Sequence, residues 1–153
     1  MNELASERGI TITRTIQAPR ERVYQAFLDL ESIGHWFGPD GFQTRTESGE
    51  PRVGGHWKFS MHGPDGTIYP NWVAYVELTP YERIVWNHGE HPGEAPWFRL
   101  SITLDEVPEG THVTLQHLFP TAADRDRSVQ ESGAIEGGQQ TLARLAAYVE
   151  AAP

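Results

Sequence analysis

Hydrophobic and polar positions alternate with period two through most of the chain and shift to helical spacing after the first strand and towards the end. Ile10, Ile12 and Ile16 alternate with Thr11, Thr13 and Thr15, which predicts a strand with one buried face. Pro19 then suits the first turn of a helix, where its missing N–H is harmless. Val23, Ala26, Phe27 and Leu30 follow at i, i+3, i+4 and i+7 and predict one apolar helix face. A second short helix is predicted over Glu31–Phe37. It is closed by Gly38-Pro39, because proline cannot continue a helix and restricts its predecessor.

Six further strands are predicted near Phe42–Glu47, His56–His62, Ile68–Leu78, Arg83–Asn87, Trp97–Glu106 and Thr111–Phe119. Between them stand SGEPRVGG, GPDG, TPYE, HGEHPGEAP and VPEG, each with Gly or Pro chemistry suited to a turn. Trp57, Phe59 and Met61 oppose Lys58, Ser60 and His62, and Phe98, Leu100, Ile102 and Leu104 oppose Arg99, Ser101, Thr103 and Asp105. Such alternation over successive hairpins predicts an antiparallel sheet with one wet and one buried face. The last third reads as helix. Thr121 and Asp124 form a capping-box pattern, Gly133 is expected to interrupt the helix, and Ile135, Gly138, Leu142, Leu145, Ala146 and Val149 form its stripe. The fold class is therefore α+β, with seven strands and a long C-terminal helix as the one element able to cover the sheet.

Composition narrows the function classes. A chain of 153 residues reads as one domain, 1–153 with a core of about 9–150, and needs no covalent staple. The absence of Cys removes disulfide, zinc-thiolate, iron–sulfur and thiol-nucleophile chemistry. A formal charge of −9 argues against non-specific nucleic-acid binding, which requires clustered cations. The longest apolar runs, Trp72–Val76 and Leu145–Val149, are too short to span a membrane. MNELASER shows no secretory pattern, so a cytoplasmic location is expected. No P-loop, GxGxxG or GxSxG motif is present, and no cofactor is expected.

The order of elements, with ITRTIQAPRERVYQAFLDLESIGHWFGPDGF at the front, resembles the helix-grip fold of the START/SRPBCC superfamily. Within it the chain is similar to the small bacterial proteins named after the C-terminal domain of the heat-shock-protein-90 ATPase activator. The resemblance runs from about Thr11 to Val149. It rests on Ala18-Pro19 with Val23, on Trp36-Phe37-Gly38-Pro39, on Gly54-Gly55 and on Leu78-Thr79-Pro80-Tyr81-Glu82-Arg83-Ile84. Ala134-Ile135-Glu136-Gly137-Gly138, leading to Leu142 and Leu145, completes it. These are structural signatures, not catalytic motifs. The resemblance implies a curved sheet gripping the C-terminal helix around a cavity for a hydrophobic small molecule. Relatives include cyclases and dehydrases that perform acid–base chemistry in that cavity, and a chaperone activator that uses the fold as a protein-binding surface. The fold alone does not choose among them.

Given such a cavity, Trp36, Trp57, Trp72, Trp86 and Trp97 are expected in its wall. Phe59, Phe98, Leu100, Leu115 and His117 are expected from the sheet, and Gly138 and Leu142 from the helix. For each, ordinary core packing is the competing reading. His117 lies on the Val113, Leu115, Phe119 phase and is the best acid–base candidate if it lines the cavity, with His88 second. Arg14 shares the apolar phase of Ile12 and Ile16. It reads either as an anchor for an acidic or carbonyl group, or as a structural ion pair or a side chain that snorkels outward. His88 and His91 with Glu90 and Glu94 have a metal-like spacing, but their Gly- and Pro-rich loop lacks the frame that makes such motifs specific, so no metal is assigned. Gly137-Gly138 costs helix stability and reads as close approach to a ligand or the sheet, or as a kink. A small-molecule binder, a cyclase- or dehydrase-type enzyme and a chaperone-related interaction protein all remain open. So does a homodimer through a sheet edge or the helix-end loops.

Overall fold

In the computed structural model, which describes residues 7–151, the alternating segments become neighbours in a seven-stranded sheet. Its strands are β1 (Gly9–Ile16), β2 (Gln43–Gly49), β3 (His56–His62), β4 (Ile68–Thr79), β5 (Arg83–Gly89), β6 (Phe98–Val107) and β7 (Gly110–Leu118). The spatial order is β1-β7-β6-β5-β4-β3-β2 with every pair antiparallel, so β2 to β7 form a meander and β1 adds to its far side. Register shifts between Thr46 and Ser48 and between Tyr75 and Glu77 increase local twist and help curl the sheet.

Register brings like residues onto one face. Trp57 pairs with Val73, Trp86 with Leu100, Ile102 with Leu115, and Ile12 with Leu115. All of these are buried, and the concave face they form is dry. Three helices complete the molecule: α1 (Arg20–Leu28), α2 (Ala122–Ser132) and α3 (Ala134–Ala151). Pro19 precedes α1 in extended conformation, as its fixed φ favours. From α1, Val23 and Phe27 enter the core, and from α3, Leu142, Leu145, Ala146 and Val149. The expected helix-grip arrangement is therefore present, with α3 held in the curve of the sheet.

One detail differs from expectation. The predicted helix over Glu31–Phe37 is only a single 3-10 turn at Ile33–His35. The cause is tertiary: Gly34 presses so closely on β2 that an added Cβ would overlap Thr44 O, and Thr44 Oγ1 donates to Phe37 O at 2.7 Å. The interruption expected at Gly133 is present, so the C-terminal segment is two helices. Thr121 Oγ1 accepts the Asp124 N–H at 3.0 Å and caps α2, and Gly133, at φ 60°, ends α2 in the left-handed region. No helix among the described residues is long and apolar enough to cross a membrane.

Candidate functional site

At one end of the grip, α3 stands away from the sheet and a cavity of about 250 Å³ remains. Its floor comes from the sheet: Met61 of β3, Asn71 of β4, His88 of β5, Phe98 and Leu100 of β6, and Leu115 and His117 of β7. Phe27 of α1 and the Phe37–Pro39 loop close one side. Gly137, Gly138 and Thr141 of α3 form the roof, and Trp97, Phe119, Ser128 and Ser132 surround the mouth. No side chain in this lining carries a formal charge at neutral pH.

The sequence explains the gap. Gly137 places no side chain where the roof would otherwise fill. The two glycines have different surroundings. A Cβ on Gly138 would overlap Ile12 Cδ1, so this glycine permits close contact between α3 and β1. A Cβ on Gly137 would meet only Pro39 Cβ, at an ordinary 3.7 Å. The loop bearing Pro39 is fixed from behind by Arg144 of α3, whose Nη1 donates to Gly38 O at 2.9 Å and to Pro39 O at 3.1 Å.

The two cavity imidazoles differ. Trp86 Nε1–H donates to His88 Nδ1 at 3.3 Å, so that nitrogen is an acceptor and the proton rests on Nε2. Nε2 lies 2.8 Å from Asn71 Oδ1, and Asn71 Nδ2 in turn donates to Tyr69 O at 2.9 Å. Burial, with the neighbouring His117 as a smaller contribution, drives the His88 pKa down to about 3. His88 is therefore a neutral, saturated structural link. His117 is the opposite case. Its Nδ1 is buried and has no hydrogen-bond partner, and burial lowers its pKa to about 4. The Phe98 ring lies against both, with centroid distances of 4.8 Å to His88 and 4.9 Å to His117. Trp36 Nε1, Tyr75 Oη and Arg20 Nε are also buried without a partner, but none of these residues lines the cavity.

Several expected positions fall elsewhere. Arg14 keeps the inward register, opposite buried Val113, yet its side chain is exposed. It belongs to an edge strand, and its long stem carries the guanidinium to solvent, so it anchors nothing in the cavity. Trp72 lies on the outer face of β4, stacked on His56 at 4.6 Å, and so is not a wall residue. Trp36, Trp57, Phe59, Trp86 and Leu142 are 0–1% exposed and belong to the packed core behind the lining. Trp97, Phe98, Leu100, Leu115, His117 and Gly138 do line it. His88 lies in β5 rather than in the loop that follows, on the same phase as Ile84 and Trp86. Exposed His91 pairs with Glu90 at 3.0 Å, apart from the buried His88 ring.

Several lining residues are not expected there from the sequence: Asn71, Phe37, Pro39, Met61 and Thr141. One of them left a readable signal. Asn71 shares the inward phase of Val73 and Tyr75, and a polar residue there must find a buried partner. A larger depression, of about 640 Å³, lies between the 3-10 turn and β2, but its walls, including Glu31, His35, Gln43, Arg45 and Thr46, are mostly exposed.

Comparisons with known proteins agree with this architecture. The family profile described as "Activator of Hsp90 ATPase homolog 1-like protein" matches residues 17–150. A crystal structure of a Chromobacterium violaceum protein is similar at 30% identity and a TM-score of 0.81, covering 94% of this chain and 99% of that one. A Nitrosomonas europaea protein is similar at 22% identity with a TM-score of 0.86, covering 96% of this chain and 97% of that one. An Arthrobacter aurescens protein is similar at 21% identity with a TM-score of 0.84, covering 97% and 90% respectively. The last two share the fold. No curated protein matches the chain significantly.

Proposed function

The chain belongs to the family of activator of Hsp90 ATPase homolog 1-like proteins, and from that premise we propose that it binds a small, neutral, hydrophobic molecule between the sheet and α3. The carrying observation is the cavity of about 250 Å³, walled by Phe27, Phe37, Trp97, Phe98 and Phe119 and free of formally charged side chains. An apolar pocket with a few polar handles is what such ligands need. Its volume exceeds the roughly 150 Å³ that holds benzene and falls just below the roughly 300 Å³ where drug-sized pockets begin. One- or two-ring compounds match that range.

An enzymatic reading has less support. Acid–base catalysis needs at least two converging groups able to exchange protons near working pH. His88 has both nitrogens occupied, His117 is held neutral by burial, and Arg14 is outside. A chaperone-docking reading has no comparably concentrated feature. Among the described residues the large exposed apolar side chains are Val53, Ile68, Tyr69, Val76, Tyr81, Trp97 and Tyr148, distributed over β4, three connecting segments and α3.

The test is a thermal-shift and tryptophan-fluorescence titration with a panel of neutral one- and two-ring compounds, on the wild type and on Gly137→Leu, whose side chain plugs the roof. At a hundredfold excess over Kd a ligand stabilises by about 2.7 kcal/mol, which at this size raises Tm by roughly 5–10 °C. Saturable binding that is lost in Gly137→Leu supports the reading. No saturable response from any compound refutes it, and a response unchanged in the variant places binding elsewhere.

A further inference from the structure

Resting on the cavity reading, we infer that the ligand is a neutral single-ring compound carrying a hydroxyl, its ring against Phe98 and its hydroxyl on the His117 imidazole. Among the described lining residues, His117 is the one with a buried polar atom that has no partner. The other polar groups of the floor are committed. His88 is bonded at both nitrogens, and Asn71 holds His88 and the Tyr69 carbonyl. Thr141 Oγ1 donates within its own helix to Gly137 O at 2.9 Å. A buried, unpaired imidazole nitrogen is costly, and a bound partner removes that cost.

The partner's chemistry follows from the surroundings. A neutral imidazole has one donor and one acceptor nitrogen, and a hydroxyl satisfies either one, whichever tautomer His117 adopts. A carboxylate would need a cation, and the lining holds no Lys or Arg. In the neighbouring depression that shares Trp97, Phe98 and Phe119 stand Asp124, Arg127 and Glu131, with Arg127 Nη1 bound to Asp124 Oδ1 at 3.0 Å, so that cation is already paired. The net charge of −9 also disfavours anions. An ammonium would give up its hydration among uncharged groups. Phe98 sits almost equally near His88 and His117, so a ring stacked on it reaches the free nitrogen with a short substituent.

The experiment compares 4-methylphenol with toluene, 4-methylbenzoate and benzylammonium by calorimetric titration of the full chain at pH 7.5. The phenol is expected to bind roughly tenfold tighter than toluene, the usual scale of one satisfied buried hydrogen bond, and both charged probes more weakly than toluene. His117→Phe keeps a ring beside Phe98 and removes both nitrogens, and it should reduce the phenol preference to about twofold or less. Equal affinity of phenol and toluene in the wild type overturns the assignment and leaves the cavity reading standing. So does a preference that survives in folded His117→Phe, or tighter binding of either charged probe. If neither neutral probe binds, both readings fall. The wild-type ratio decides even if the variant does not fold.

Discussion

Gly137 is the fourth residue of α3, at the end of its first turn, where glycine costs up to about 1 kcal/mol relative to alanine. Its backbone is ordinary helix, with the N–H donating to Gly133 O at 2.9 Å. The nearest atom to an added Cβ is Pro39 Cβ at 3.7 Å, normal contact rather than a clash. Gly137→Ala should therefore recover the helical penalty of up to about 1 kcal/mol and gain a fraction of the ~0.8 kcal/mol available to a buried methyl. At this size 1 kcal/mol moves Tm by about 2–4 °C, so a rise of roughly 2–5 °C is expected. Neighbouring Gly138→Ala gains the same propensity but drives Ile12 Cδ1 off its position in the core. Overpacking of about 1–3 kcal/mol cancels or exceeds that gain. The same added methyl at Gly137 narrows the roof and should weaken binding of 4-methylphenol and of toluene, so stability rises as affinity falls. Calorimetric melts of both variants, with titrations of Gly137→Ala, measure each quantity. A lowered Tm for Gly137→Ala, or an equal rise for Gly138→Ala, would show that the two glycines do not differ as described.

Other perturbations follow from the same contacts. His88→Ala removes a buried ring and strands Trp86 Nε1–H and Asn71 Oδ1, and urea unfolding should register a loss of about 3–5 kcal/mol. A loss below 1 kcal/mol would contradict the role of His88 as a link. Both buried histidines have folded pKa values, about 3 and about 4, below the unfolded value near 6.5. The unfolded chain therefore binds more protons on acidification. Stability from these groups is complete above about pH 6.5 and is lost as pH falls towards 4, by up to about 1.4 kcal/mol per pH unit for each histidine. Denaturation from pH 7.5 to 5 should show that decline, and folded His117→Phe should show a shallower one. Arg144→Met frees the carbonyls of Gly38 and Pro39. It should cost about 1.5–3 kcal/mol and weaken ring binding through the loosened wall, both readable in the same melts and titrations.

Local pattern carried most of the architecture. Period-two alternation identified the inward faces of β1, β3, β6 and β7 because a pleated strand must put alternate side chains on opposite sides. Thr121, Gly133 and Pro19 marked helix ends because capping and fixed φ are properties of single residues. His117 was legible as inward-facing on the same grounds. His88 was placed one residue too far along, in the loop, although it continues the phase of Ile84 and Trp86.

What alternation cannot do is tell a cavity wall from a packed core, since both need the same inward apolar residues. Trp57, Trp86 and Phe59 point inward as expected and are sealed behind Phe37 and their neighbours, whereas Phe98 and Leu100 on the adjoining strand face open space. That difference depends on where α3, the Phe37–Pro39 loop and Arg144 meet, contacts between residues about a hundred positions apart. Arg14 likewise follows the inward phase and still reaches solvent, because its strand is the sheet's edge. Sequence alone determined the order of the strands, the faces of those that alternate and the ends of α2, since these follow from the geometry of neighbouring residues. Tertiary structure alone decided which inward side chains remain unpacked and which imidazole nitrogen lacks a partner, because both depend on how distant elements fail to fill the space between them.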